Sequence, residues 1–248
     1  MDNYNFLAEK YHEVVGIPNG TWDISYGKVL DFLKEKNKVK VLDLGCGTGH
    51  FTRDLGKLKE SEVVGVDKAE KMLRIAEKYY SASNIQYQIS NKSFWGQYKS
   101  YFDCVVSTFF FCVFPTTVEI SNEFSKVFDC LKPFGEFIFL LPNWEKGNGI
   151  NFSFVDYHYK AQLEEGDAIE VLLKGERKNL LLNDFFWSAS TYIRLLEQCG
   201  FKLEIYQNIY ANKEEKSLVE EKYFSPFFLI KAKKIIVPSS LGNKKGGK

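Results

Sequence analysis

The stretch Val41-Leu42-Asp43-Leu44-Gly45-Cys46-Gly47-Thr48-Gly49 decides how the rest of the chain is read. Its first half is a short apolar run suited to a buried strand. Its second half sets three glycines where that strand turns into a helix carrying Phe51, Leu55 and Leu58 at helical spacing. Parallel sheets bind ligands outside the carboxyl ends of their strands, which is where this turn falls. Glycine suits the place because a side chain would hold a ligand off the backbone and because such a turn can demand positive φ. On its own, the loop also admits a bare strand-to-helix turn with no ligand.

The next strand narrows the choice. Residues 62–66 are apolar and close on Asp67, eighteen positions after Gly49, where a carboxylate can accept both hydroxyl protons of a ribose. Dinucleotide folds carry G-x-G-x-x-G, whose spacing lets a helix N-terminus cradle a pyrophosphate. Here the pattern is G-x-G-x-G followed by His50, and Asp43 stands two residues before Gly45. That carboxylate is a poor neighbour for a pyrophosphate and a good one for an ammonium group. S-adenosylmethionine carries an ammonium and no phosphate.

Outward from this loop, short β-rich runs alternate with helical patterns, the signature of parallel strands joined by crossover helices. Residues 3–15 and 23–35 read as helices before the first strand, residues 38–44. Further strands are expected at 62–66, 85–89, 102–107 and 136–141. Helices are expected around Met72, Ala76 and Tyr79 and around Ile120, Phe124, Val127 and Leu131. After Pro142 the rhythm changes: 143–167 is aromatic and irregular, and runs 168–173 and 178–182 suggest a hairpin around Lys174 and Gly175. A helix from about Ser188, stopped by Gly200, leads into closing strands at 201–206 and 227–232, with a solvated charged loop over 212–222 between them.

The chain has 248 residues, 45% of them hydrophobic, with 33 Lys+Arg against 32 Asp+Glu. This is enough to bury a real core, and a net charge of +1 gives no field to gather nucleic acid or anionic lipid. We therefore expect a single domain over 1–237, with 1–36 as an N-terminal helical lid, 143–187 as a substrate-side insertion and 238–248 as a disordered tail. The first twenty residues mix Asp, Glu and Lys, and no run of about 18 apolar residues occurs, so a cytoplasmic protein without membrane or nucleic-acid partners, monomeric or weakly dimeric, is expected. The five unclustered cysteines read as reduced small hydrophobes.

Val41 to Gly49 resembles the first motif of class I S-adenosylmethionine-dependent methyltransferases, and Asp67 matches their ribose-binding acid. Phe102-Asp103-Cys104-Val105-Val106-Ser107 is similar to that family's fourth strand, and Leu131-Lys132-Pro133-Phe134-Gly135 to the turn before its fifth. The resemblance implies a Rossmann-like α/β fold, a seven-stranded mostly parallel sheet with helices on both faces, and S-adenosylmethionine as cofactor. It further implies that the backbone of Gly45, Cys46 and Gly47, with Gly49 closing the loop, lies along the methionyl part while Asp43 faces the amine directly or through water. Lys68 and Met72 would flank the adenosine, and Thr108 and Phe109 would lie under the methionine. Where family members usually show Asp this chain has Asn91, whose amide can still meet the adenine edge. The segment Tyr4 to His12 resembles a Y-D-x-x-A-x-x-Y element that folds over the cofactor and would bring Tyr11 to the methionyl carboxylate. The segment Asn183-Asp184-Phe185-Phe186-Trp187-Ser188 resembles small-molecule methyltransferases of a toxoflavin-synthase-like group.

Methyl transfer from a sulfonium is an in-line displacement by an already activated donor, so alignment and exclusion of water are the main tasks, and no metal is required. A protonated acceptor needs a base. His158, in an aromatic stretch after the fifth strand, is the first choice among His12, His50 and His158, and Tyr11 is the second base considered. Trp22, Trp144, Phe154, Tyr157 and Trp187 are expected walls for a flat or cationic acceptor. These readings make the chain a methyltransferase for an oxygen or nitrogen of a small molecule. A cofactor-binding protein without transferase chemistry, a protein- or RNA-modifying enzyme and a nicotinamide-dependent oxidoreductase remain the competing classes. No Asn/Asp-Pro-Pro-Tyr sequence follows the fourth strand, which disfavours transfer to the exocyclic nitrogen of adenine.

Overall fold

A computed structural model describes residues 3–15, 20–147, 149–160, 162–211 and 219–235. Two helices, α1 (Asn3–Val15) and α2 (Gly20–Asp31), precede the first strand, β1 (Lys40–Leu44). The glycine loop then leads into α3 (His50–Leu55), β2 (Glu62–Asp67), α4 (Glu70–Tyr80), β3 (Ile85–Ile89), α5 (Lys92–Gln97) and β4 (Phe102–Thr108). After β4 come α6 (Thr117–Cys130), β5 (Leu131–Pro142) and α7 (Trp144–Gly147). A second sheet then forms from β6 (Val155–His158), β7 (Ala168–Lys174) and β8 (Asn179–Phe185). The chain closes with α8 (Ala189–Gln198), β9 (Phe201–Ile209) and β10 (Phe227–Lys234).

The main sheet has seven strands in the order β3-β2-β1-β4-β5-β10-β9, parallel except for β10, which runs antiparallel to both β5 and β9. This is the Rossmann-like arrangement of the sequence reading, and β3 occupies its expected residues. Strands covered on both faces need no polar side, which is why Val41, Leu42, Val63, Val64, Val105 and Val106 form nearly unbroken apolar runs. The pleat of β5 shows the two layers. Phe137 meets Phe124 of α6 edge to face, Phe139 tilts against the same ring, and Phe139 also meets Tyr192 of α8. On the opposite face, Glu136 pairs with Lys36 just beyond α2 at 3.0 Å.

Several boundaries differ from the sequence expectation. Helix α2 begins and ends earlier than 23–35, and β5 starts at Leu131 because Leu131 already pairs with Phe102 ahead of a register shift. Helix α5, too short for a clear apolar period, was not anticipated. The aromatic stretch after Pro142 contains β6, which pairs antiparallel with β7 and turns the expected hairpin into a three-stranded sheet. Most of the charged loop expected at 212–222, and the tail from 238, lie outside the described residues. Glu221, however, is buried rather than solvated, accepting bonds from the Ser153 backbone N–H at 2.6 Å and hydroxyl at 3.2 Å. No described helix is long and apolar enough to cross a membrane.

Candidate active site

The glycine loop is left-handed at each glycine, with φ of 74° at Gly45, 52° at Gly47 and 85° at Gly49. The three residues are needed for different reasons. A Cβ on Gly45 would stand 2.4 Å from the Phe110 ring, and one on Gly49 would stand 2.8 Å from both Ala76 of α4 and the Tyr87 hydroxyl. Gly49 therefore serves the packing of helix on sheet. A Cβ on Gly47 would meet only Tyr11, at 3.8 Å, and would project into open space between loop and helix α1. This gap is where a ligand can lie against the backbone.

Asp67 ends β2 and closes the loop from the other side. One carboxylate oxygen accepts the Gly47 N–H at 3.0 Å and the other accepts the Ala69 N–H at 2.8 Å. Burial raises its pKa, and the N–H bonds from Ala69, Gly47 and Lys68 pull the other way by favouring the charged form. Gly47, Asp67, Lys68, Met72, Thr108 and Phe109 share one cavity with Tyr4 and Tyr11 of α1. An acidic anchor aimed into it and the open face of Gly47 fit a nucleoside with a short polar tail. The Lys68 ammonium turns to the buried Glu123 at 3.1 Å, which leaves its stem on the wall.

A second cavity adjoins the first and shares Tyr4, Tyr11 and Phe109 with it. Its other walls come from the second sheet (Phe154, Val155, Tyr157, Val171, Leu173, Leu182 and Asp184) and from Phe227 of β10. Phe109, at the junction, has φ of 56°, a conformation that costs a β-carbon residue about 1–2 kcal/mol. It is held there by its N–H to the Leu140 carbonyl at 2.9 Å, by the Cys112 thiol on its own carbonyl at 3.2 Å and by ring contact with Phe227.

Several expected site residues stand elsewhere. Asp43 is buried behind the loop, one oxygen accepting from the Thr52 hydroxyl at 2.6 Å and the other without a partner, and burial lifts its pKa to about 7. It does not form the cavity wall. Gly45 lines the cavity, although its N–H, like that of Cys46, is taken by the Val66 carbonyl, and the Cys46 thiol lies toward Gly65 rather than in the cavity. Asn91 caps α5, accepting the Phe94 N–H at 2.9 Å, and does not line the pocket. His158 is exposed, because β6 alternates Val155 and Tyr157 inward with Asp156 and His158 outward, so it does not face the chamber. Tyr11 does line both cavities, and burial, followed by the nearby Cys112, Asp67 and Asp184, pushes its phenol up, which favours the protonated form.

Among the expected acceptor walls, Phe154 and Tyr157 line the chamber. Trp187 instead donates its indole N–H to the Phe114 carbonyl at 2.9 Å, and Trp144 packs against Tyr157 and Phe186 outside the chamber. Both are buttresses. Trp22 belongs to α2, but its side chain lies outside the described residues. The sequence reading did not single out Asp184. The signal was available: β8 alternates exposed and buried residues, and Asp184 falls in phase with the buried Leu180 and Leu182.

Residues 41–135 match the family described as a methyltransferase domain. The chain is 36% identical over 220 residues to the ubiquinone/menaquinone biosynthesis C-methyltransferase of Wigglesworthia glossinidia brevipalpis, covering 78% of this chain and 85% of that protein. The chain belongs to the class I S-adenosylmethionine-dependent methyltransferases: it is an enzyme of that class, and S-adenosylmethionine is its cofactor. A carboxy-S-adenosyl-L-methionine synthase of Nautilia profundicola is 26% identical over 178 residues, covering 70% of this chain and 74% of that one. A crystal structure of an S-adenosylmethionine-dependent methyltransferase from Clostridium acetobutylicum shares the fold, with a TM-score of 0.62 at 18% identity, covering 94% of this chain and all of that one.

Proposed function

We propose that this enzyme transfers the methyl group to an oxygen or nitrogen of a small, largely apolar acceptor held in the second chamber. The observation that carries the reading is the shared wall: Tyr4, Tyr11 and Phe109 line both cavities, so an acceptor and the cofactor can meet at one boundary. When bound, S-adenosylmethionine supplies a methyl carbon already activated by its sulfonium. The chain's own residues then bind and orient. Asp67 accepts the ribose hydroxyls, and Met72 with the stem of Lys68 flanks the nucleoside. Gly47 and its neighbours let the ligand approach the backbone, and the Tyr11 hydroxyl donates to the methionyl carboxylate. Asp43, one oxygen already bonded, contributes a favourable field for the ammonium rather than a contact. Buried aromatic walls exclude water, so the displacement is steered by alignment.

A small acceptor agrees with the relative named for ubiquinone and menaquinone biosynthesis. It also agrees with a chamber that is narrow, apolar and covered by α1. Calorimetry with S-adenosylhomocysteine should show one site, weakened about 10- to 100-fold in Asp67→Ala through loss of charge-assisted bonds. Labelled methyl groups incubated with a cell extract should then appear in filterable small molecules. Label confined to protein or RNA would overturn the reading.

A further inference from the structure

The acceptor chamber carries a single formal charge in its wall, Asp184, which is 5% exposed and set among aromatic rings. Among the described residues, no lysine, arginine or histidine lines the chamber and no cation figures among the charges acting on Asp184. The Cys112 thiol beside it is a weak donor that also serves the Phe109 carbonyl at 3.2 Å, and it does not repay the cost of burying a carboxylate. Burial accordingly pushes the Asp184 carboxyl up to about 7, against the pull of that thiol. A buried carboxylate of this kind, kept on the apolar face of a strand and aimed into a cavity, is a functional feature rather than a packing one. Tyr157 does not compensate it, since its hydroxyl donates to the Pro226 carbonyl at 3.3 Å.

Resting on the small-acceptor reading above, we propose that the acceptor is a primary or secondary amine, and that Asp184 anchors its ammonium form and then takes its proton. A cation is the partner that both features of the chamber request: the carboxylate pairs with it, and the faces of Tyr4, Tyr11, Phe109, Phe154, Tyr157 and Phe227 attract it. A phenol or alcohol brings no charge to offset that of Asp184, and an anionic acceptor is repelled. The step balances without a further reactant. One N–H proton passes to the Asp184 carboxylate, and the freed nitrogen lone pair forms the N–C bond to the methyl carbon. As the C–S bond breaks, its electron pair goes to sulfur, leaving the neutral thioether and a methylated ammonium. The proton on Asp184 leaves to solvent when product departs. Desolvation disfavours both charged groups, which makes the neutral acid and neutral amine accessible inside the chamber.

The neighbours of Asp184 leave it free to act alone near neutral pH. Cys112 below it, Tyr4 and Tyr11 of α1, Tyr157 of β6 and Tyr192 of α8 are all pushed upward by burial and hold their protons there. The test uses calorimetry on enzyme saturated with S-adenosylhomocysteine, titrated with a panel of primary amines and with the matched alcohols and carboxylates. At least one amine should bind about tenfold or more tighter than its alcohol, its affinity climbing from pH 6 to 8 as Asp184 ionises, while the carboxylates do not bind. Asp184→Asn should erase the amine preference and the pH dependence while leaving the S-adenosylhomocysteine affinity within about threefold. Asp184→Glu should restore part of the preference, separating loss of charge from misfolding. A panel in which no amine outbinds its alcohol, or an Asp184→Asn protein that keeps the preference, overturns the proposal. Failure of S-adenosylhomocysteine itself to bind would instead strike the underlying methyltransferase reading.

Discussion

The two halves of the active site are built on different principles. The cofactor half hangs on backbone: three left-handed glycines, N–H groups fixed on Val66 and Asp67, and a parallel sheet whose register leaves little freedom. The acceptor half hangs on side chains, with a small antiparallel sheet and α1 presenting rings around one carboxylate. A backbone-built pocket tolerates change at most positions and fails at a few, whereas a side-chain-built pocket can be retuned residue by residue.

The sharpest way to break this comparison is Gly45→Ala. With φ of 74° and a new Cβ driven into Phe110, the variant should lose about 3 kcal/mol or more of stability, read by denaturant unfolding, and with it most cofactor affinity. An unaffected protein would show the loop to be adaptable. Next in size is Glu221→Ala, which unties Ser153 from its buried partner. It should cost about 2 kcal/mol and speed hydrogen exchange over 152–158 without disturbing 41–49. Equal effects on both segments would mean that the halves are not independent.

The third test uses pH on the helix that roofs both cavities. His50 is buried, bonded through Nδ1 to the Tyr80 hydroxyl and stacked on His12 of α1. Burial, then its neighbours His12 and Arg53, lower its pKa to about 4. The unfolded chain takes up this proton near its ordinary value of about 6.5, so the native state loses stability as pH falls from there toward 4. The loss is at most about 1.4 kcal/mol per pH unit, with no contribution above that window. Asp43 and Asp184, held near 7, act in the opposite sense, so the measurement is the difference between wild type and His50→Phe at each pH. That difference should shift against wild type on acidification, and a flat one would remove the buried-histidine account. The smallest effect is expected for Asn91→Ala, about 1 kcal/mol of stability from a lost cap with cofactor affinity changed less than about twofold. A large loss of affinity would return Asn91 to the adenine edge.

The same contrast explains what could be read from sequence. The cofactor half was legible because each signal is local: apolar runs bracketed by glycine, and an acid at a fixed distance. Even there, spacing could not tell which glycine meets ligand and which meets Ala76, nor that Asp43 is turned to Thr52. The acceptor half depends on which way each pleat faces. Missing β6 hid the outward phase of His158, and reading Trp144 and Trp187 as walls overlooked that large rings also serve as wedges. Tyr11 lines both cavities, but the acidity of its phenol is not legible in the sequence, because it depends on surroundings assembled from distant segments.

Tyr4 and Tyr11 lie seven residues apart on α1, two turns along one stripe, and both touch donor and acceptor space. A partition common to two rooms cannot be drawn aside for one of them alone. Whatever shifts these thirteen residues therefore reshapes both cavities at once.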